Sequence, residues 1–117
     1  MMIKIYGLTN CDTVKKARLW FDERQIEYTF HDIRSTGLTL ELLKQFAARL
    51  EDWKVLVNRK GMTWRKLSSE QQQLCANIET ALPLIAQNRT LMKRPVIDNG
   101  AVLLVGFDTR AYEKNFL

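Results

Sequence analysis

The sequence predicts an α/β fold, and three segments carry the prediction. A short apolar strand pattern over residues 3–8 is followed by an amphipathic helical pattern over residues 12–24 and then by a second strand pattern. A strand, a helix and a strand in this order normally form a right-handed crossover between parallel strands. Near the C terminus, two short apolar runs flank Asn99-Gly100, which is typical of an antiparallel hairpin.

The first helix and the second strand are predicted from periodicity. Val14, Ala17 and Phe21 recur at three- and four-residue spacings, with charged residues on the other faces, so the helix is expected over about residues 12–24. Isoleucine, tyrosine and phenylalanine then alternate with polar residues over 26–31, as in a half-buried strand.

Helices dominate the middle of the chain. Thr39 is a plausible cap for a second helix, and Ser68 or Ser69 caps a polar helix that runs through Cys75. A further helix is expected over about residues 78–88, with Pro83 in its first turn or at a kink. A last helix begins after Asp108.

This order of elements is that of a thioredoxin-like fold with a four-stranded mixed sheet. At 117 residues, nearly half of them apolar, the chain fits one domain, residues 1–117, with a helical insertion at about residues 38–90. No stretch is apolar enough for a membrane helix, and no secretory signal is recognisable.

Composition narrows the classes of function. The two cysteines lie 64 positions apart and there is one histidine, so we expect neither a disulfide framework nor a metal site, and a cytoplasmic location. The net charge of +5 is spread along the chain rather than concentrated in a basic patch, so no nucleic-acid partner is expected, and the charge fits an anionic small molecule at least as well. We expect a monomer without a membrane partner.

Cys11 is the candidate nucleophile. It follows a strand and precedes a helix, so the unpaired amides of the first turn and the helix dipole would favour its thiolate. Lys15 would add positive charge, and Asp12 would have to face solvent. From position alone, a buried structural cysteine is an equally good interpretation.

Other reactive residues are less strongly indicated. Val14 occupies the position that a second cysteine of a Cys-x-x-Cys motif would need, and Cys75 is expected to be structural. His31 is expected to be a surface residue rather than a base for Cys11. Arg94-Pro95 precedes the hairpin, where a cis peptide could present backbone groups to a ligand; alternatively it is an ordinary solvated pair.

Four ordered motifs give the chain a family resemblance. Asn10 to Ala17, Val57 to Gly61, Lys93 to Val96 and Val105 to Phe107 resemble the YffB-like branch of the arsenate reductase (ArsC) and Spx group. The resemblance covers almost the whole chain and implies a thioredoxin fold with a helical insertion, a nucleophile at Cys11 and glutathione as thiol co-substrate, with no bound cofactor.

The resemblance also implies which residues bind the anionic partner. Arg59 and Arg94 match the two anion-binding arginines of the group, and Lys15, Asn10, Thr13 and Pro95 complete the expected site. The chain departs from the arsenate reductases at one expected site position: Gly106-Phe107 stands where they have a third arginine, and Arg110 lies nearby.

The hypothesis is therefore a glutathione-dependent thiol reductase with a single nucleophilic cysteine, acting on an oxidised thiol or an oxyanion. Arsenate reductase is the first alternative, although loss of one guanidinium weakens it. A non-catalytic, Spx-like binding or regulatory module is the other alternative, and the absence of Cys-x-x-Cys argues against its redox switch.

Overall fold

A computed structural model describes residues 2–35 and 37–117, and contacts between Cα atoms divide the chain into two compact units. The first unit comprises Met1–Thr36 and Arg94–Leu117, and the second comprises Gly37–Lys93. Within the described residues, no helix has the length and apolar character needed to cross a membrane.

The first unit contains a four-stranded mixed sheet. Its strands are β1 (Lys4–Gly7), β2 (Thr29–Asp32), β3 (Val96–Asp98) and β4 (Leu103–Val105), in the order β2-β1-β3-β4. Strand β1 pairs parallel with β2 and antiparallel with β3, and β3 pairs antiparallel with β4. The mixed sheet and the parallel pair across the first helix are thus confirmed.

Two helices of the first unit share a core with one face of the sheet. Helix α1 (Asp12–Glu23) and helix α6 (Thr109–Phe116) contribute to one buried cluster that consists of Ile3, Ile5, Ala17, Trp20, Phe21, Ile97 and Tyr112. Burying a large apolar side chain contributes about 1.5–3 kcal/mol, so this cluster fixes α1 against β1. The predicted cap of α6 is confirmed, because a carboxylate oxygen of Asp108 accepts from the amides of Arg110 and Ala111.

The way in which α1 ends explains why β2 begins later than the sequence predicts. Gln25 has a φ of 58°, its amide donates to the carbonyl of Asp22, and the amide of Ile26 donates to the carbonyl of Phe21. These two bonds form a Schellman motif, which ends a helix with one left-handed residue. The chain is therefore still turning where side-chain alternation predicted a strand, and β2 begins only at Thr29.

The predicted antiparallel hairpin is confirmed, with a longer loop than Asn99-Gly100 alone. Oδ1 of Asn99 accepts from the amides of Ala101 and Val102, at 3.0 and 2.7 Å. Gly100 has a φ of 90°, which suits glycine. Because these residues form the loop, β4 begins at Leu103.

The described part of the second unit is helical. It contains α2 (Leu40–Ala48), α3 (Met62–Lys66), α4 (Ser69–Leu74) and α5 (Ile78–Gln87), with short 3₁₀ turns at Trp53–Leu56 and Arg89–Leu91. Thr39 caps α2 by accepting from the amide of Leu42, as predicted. Ser68 rather than Ser69 caps α4, because it exchanges hydrogen bonds with Gln71 in a capping box.

Pro83 lies deeper in α5 than the sequence predicted. It is the sixth residue of the helix, in the second turn, so the first-turn placement is wrong. Proline has no amide hydrogen to donate to the carbonyl four residues earlier. The buried residues Leu82, Leu84 and Ile85 surround it, and their burial offsets the missing hydrogen bond.

Candidate active site

Cys11 lies at the start of α1, directly after the turn that leaves β1. It is the N-cap residue, with extended φ and ψ of −100° and 123°, and its carbonyl accepts from the amide of Lys15 at 2.9 Å. Its side chain is half-buried, so the sulfur is neither sealed in the core nor fully exposed. Residues after an N-cap have amides without helical partners, and these point toward the cap.

The pKa of the Cys11 thiol is lowered from its ordinary value. Burial raises the pKa, but the amide of Val14, the guanidinium of Arg94 through a hydrogen bond and its charge, and the amide of Thr13 together outweigh burial. Cys11 forms no side-chain cap hydrogen bond of regular geometry. We therefore regard the two amides as donors directed at a thiolate rather than as a closed cap.

Arg94 belongs to the first unit and lies two residues before the start of β3. Its side chain is half-buried, and the Arg94-Pro95 peptide bond is cis. Pro95 is buried and its carbonyl accepts from the amide of Gly106 at 2.7 Å. That carbonyl is engaged within the sheet region, so the guanidinium of Arg94 is the group that this segment directs to Cys11.

The side chains of the other predicted residues near Cys11 do not shift its thiol pKa. Asn10, Asp12, Thr13 and Lys15 have exposed side chains, and the exposure of Asp12 meets the condition that the thiolate hypothesis set. Lys15 is not among the groups that shift the pKa of Cys11. The spacing of four residues brings side chains together only within a helix, whereas Cys11 has extended backbone angles.

Arg59 belongs to the second unit, in the segment before α3. Its side chain is exposed, and its guanidinium carbon lies 5.4 Å from the centroid of the Trp64 ring. Cys75, the C-cap residue of α4, is fully buried, and burial raises its thiol pKa although the charge of Arg59 lowers it. A buried thiol with a raised pKa fits the structural role expected for Cys75.

His31 is half-buried rather than a surface residue, so that expectation is wrong. Its Nε2 atom lies 3.0 Å from the hydroxyl of Thr29, and its ring stacks on Tyr6 with centroids 4.9 Å apart. These neighbours on β1 and β2 cover part of the imidazole. His31 is not among the groups that act on Cys11, which agrees with the prediction that it is not the base for that thiol.

Gly106-Phe107 follows β4 and is used for packing. Gly106 is buried with a φ of 91°, and its carbonyl accepts from the hydroxyl of Tyr112 at 2.7 Å. The Phe107 ring meets the Tyr112 ring edge-on. Arg110 lies exposed in the first turn of α6 and does not contribute to the shift at Cys11.

The sequence indicated the unpaired amides of the first turn as a group but did not single out the amide of Val14. In the sequence, Val14 is notable as an apolar residue of the helix and as the residue in place of a second cysteine. A signal was nevertheless present, because the amides of the second and third residues of a helix are the ones that reach the N-cap side chain. Any residue other than proline supplies that amide.

The sheet order, with a half-buried cysteine at the end of the β1–α1 turn, defines a thioredoxin-like fold. The chain belongs to the ArsC family, whose sequence profile matches residues 6–115. A protein of Haemophilus influenzae without an assigned function is 44% identical over 115 residues, covering 98% of this chain and 99% of that protein.

Two further relatives extend the comparison. The solved structure of a YffB protein matches with a TM-score of 0.89 at 36% identity, covering 99% of this chain and 100% of that one. The global transcriptional regulator Spx of Listeria innocua is 29% identical over 108 residues, covering 92% of this chain and 81% of Spx. The resemblance to the YffB-like branch of the ArsC and Spx group is thereby confirmed.

Proposed function

We propose that this protein is a glutathione-dependent thiol reductase that uses Cys11 as its only nucleophile. The observation that carries the proposal is the place of Cys11, half-buried at the N-cap of α1, where two amides of that helix and the guanidinium of Arg94 lower its thiol pKa against the opposing effect of burial. A thiolate at neutral pH is the form that attacks disulfides.

The reaction is a pair of thiol–disulfide exchanges. With a substrate disulfide between a protein thiol and glutathione, the Cys11 thiolate attacks the glutathione sulfur, and the substrate sulfur leaves as a thiolate that takes up a proton. A second glutathione thiolate then attacks the glutathione sulfur of the Cys11 adduct and releases Cys11. The substrate is reduced by two electrons and two glutathione moieties become one disulfide.

Two arginines are proposed to hold the anionic partner. Arg94 and Arg59 have planar guanidinium groups that bind carboxylates through paired hydrogen bonds, and glutathione carries two carboxylates. Lys15, exposed in the first turns of α1, would add a cation, and Asn10, Thr13 and Pro95 would border the same binding surface. A lowered Cys11 pKa also helps the second exchange, because a less basic thiolate leaves faster.

Binding and chemistry can be tested separately. In an NMR titration with millimolar glutathione, we expect shifts at the amides around Cys11, Arg59 and Arg94; unchanged spectra there would contradict the binding step. In a glutathione-coupled disulfide reduction assay, Cys11→Ser should abolish turnover. Cys75→Ala is the matched control, because it removes the other, buried thiol, and it should retain turnover.

Arsenate reduction is the first alternative, favoured by membership of the ArsC family. Arsenate is a compact anion that is bound through charge-assisted hydrogen bonds, so the number of guanidinium groups matters. Here Gly106-Phe107 replaces the third arginine of the arsenate reductases that the chain resembles. The same coupled assay with arsenate as oxidant should give weak or no activity, and rapid reduction would favour this alternative.

A non-catalytic binding module is the second alternative, and the similarity to Spx favours it. Val14 occupies the position where a Cys-x-x-Cys disulfide would need its second sulfur, so such a module would lack that switch. A Cys11 thiol pKa near the ordinary value of about 8.5, with no turnover on any disulfide, would support the binding module instead of the reductase.

A further inference from the structure

We propose that Gly7 is a positioning residue for Cys11, because its missing side chain lets Val14 pack on the end of β1 and so fixes the first turn of α1 beside the sulfur. The inference deepens the proposed function and rests on it. The atoms that a side chain on Gly7 would meet first belong to Val14, so Gly7 acts through Val14.

Gly7 and Val14 approach each other so closely that a residue with a side chain could not replace Gly7 without a clash. A Cβ atom built on Gly7 would lie 2.8 Å from Cγ2 and 3.0 Å from Cγ1 of Val14. Carbon atoms in contact prefer about 3.5–4.0 Å, so alanine at this position would overlap Val14. Gly7 ends the row of Ile3 and Ile5, whose side chains meet α1 in the core.

Val14 cannot easily move out of the way. It is fully buried, and a valine within a helix has one strongly preferred χ1 rotamer. Rotation about χ1 would therefore exchange one clash for another. Relief of the overlap requires a shift of the helix backbone, and that shift carries the Val14 amide with it.

The backbone of Gly7 gives no other reason for glycine. It does not have the positive φ of Gly37, Gly100 and Gly106, and it pairs with Asp32 in the parallel β1–β2 ladder. An ordinary residue could adopt this conformation. The close approach to Val14 is thus the feature that requires glycine here.

The contact bears directly on the reactive thiol. Of the groups that lower the pKa of Cys11, the backbone amide of Val14 has the largest effect, although its contact with the sulfur is not a cap hydrogen bond of regular geometry. Hydrogen bonds weaken steeply when distance and angle depart from their optimum. Moving Val14 away from β1 therefore removes stabilisation from the thiolate while the opposing effect of burial remains.

The test compares the thiol pKa of Cys11 in the wild type, Gly7→Ala, Val14→Ala and the double variant Gly7→Ala/Val14→Ala. The pKa is measured by ultraviolet absorbance of the thiolate, with the Cys11→Ser signal subtracted. Gly7→Ala should raise the pKa by about half a unit or more, which is about threefold less thiolate at a pH below both values. Gly7→Ala/Val14→Ala, where the overlapping methyl groups are gone, should return the pKa to that of Val14→Ala.

Gly61→Ala is the matched control. Its added Cβ would meet Nδ2 of Asn58 at the same 2.8 Å, but at the end of a polar side chain in the second unit, and the Cys11 pKa should not change. A folded Gly7→Ala with the wild-type pKa would overturn the inference. An ordinary thiol pKa in the wild-type protein would instead overturn the proposed function.

If Gly7→Ala does not fold, the double variant still tests the inference. In that case the double variant should fold and share the Cys11 pKa of Val14→Ala, which would locate the overlap at this pair and support the inference. A double variant that remains unfolded, or whose pKa exceeds that of Val14→Ala, would show that alanine at Gly7 acts elsewhere and would contradict it.

Discussion

Replacing Arg94 with methionine should raise the thiol pKa of Cys11 by about one unit. Arg94 contributes both a hydrogen bond and a favourable charge to the thiolate, and two backbone amides supply the rest. A hydrogen bond to a charged group contributes about 1.5–3 kcal/mol, and one pKa unit corresponds to about 1.36 kcal/mol. The half-buried sulfur is partly screened by solvent, so we expect the lower end, about one unit.

The same substitution predicts a smaller change in reactivity. At a pH below both pKa values, a rise of one unit leaves about tenfold less thiolate. The more basic thiolate is intrinsically about threefold more nucleophilic, because nucleophilicity rises with pKa with a slope of about 0.4–0.5. The alkylation rate of Cys11 by iodoacetamide should therefore fall only about threefold to fourfold.

The assay is a pH titration of thiolate absorbance together with alkylation rates. Arg94→Lys retains the charge and loses the planar fork, so its pKa should lie between those of the wild type and Arg94→Met. Arg110→Met is the matched control in the same unit, because Arg110 is exposed and does not shift the Cys11 pKa. An unchanged pKa in a folded Arg94→Met protein would refute the reasoning.

Three further predictions concern stability, each measured by urea unfolding. Tyr112→Phe leaves the buried carbonyl of Gly106 without its 2.7 Å donor and should cost about 1–3 kcal/mol. Burial, together with the charge of Asp108, raises the pKa of Tyr112 in the folded protein. The free energy of unfolding of the wild type should therefore be unaffected by this tyrosine below about pH 10 and decline above it, because the tyrosine ionises more readily in the unfolded chain. Tyr112→Phe should lack that part of the decline. Ser68→Ala opens the capping box of α4 and should cost about 0.5–2 kcal/mol, and no loss would show that the box is not a stabilising contact. Gln25→Gly should stabilise by up to about 1 kcal/mol, because glycine adopts the φ of 58° without strain, and a destabilised variant would contradict this.

Much of the fold follows from local sequence patterns. The strand before Cys11, the amphipathic α1, and the caps at Thr39 and Asp108 all depend on neighbouring residues, and all were predicted. The start of β2 was predicted too early because Gln25, a residue that rarely takes a left-handed conformation, ends α1. Secondary-structure propensities do not identify this helix end, because the left-handed residue is a glutamine. A glycine at position 25 would have indicated it.

The candidate site was only partly predictable. The position of Cys11 at a helix start is a local property, but Arg94 lies far along the chain, and the family resemblance indicated it only as an anion-binding residue, not as a group that acts on the sulfur. Lys15 was assigned an effect on the thiolate from helical spacing, which does not apply to an extended N-cap residue. The part played by the Gly7–Val14 contact depends on an interatomic distance, which no sequence pattern gives.

The most direct test of the account is the thiol pKa of Cys11 in the unmodified protein. Thiolate absorbance should titrate clearly below about 8.5, the usual value for a free cysteine, and the signal should vanish in Cys11→Ser. Titration at or above that value would mean that burial prevails over the amides of α1 and over Arg94. The protein would then hold Cys11 as a thiol at neutral pH, contrary to the mechanism.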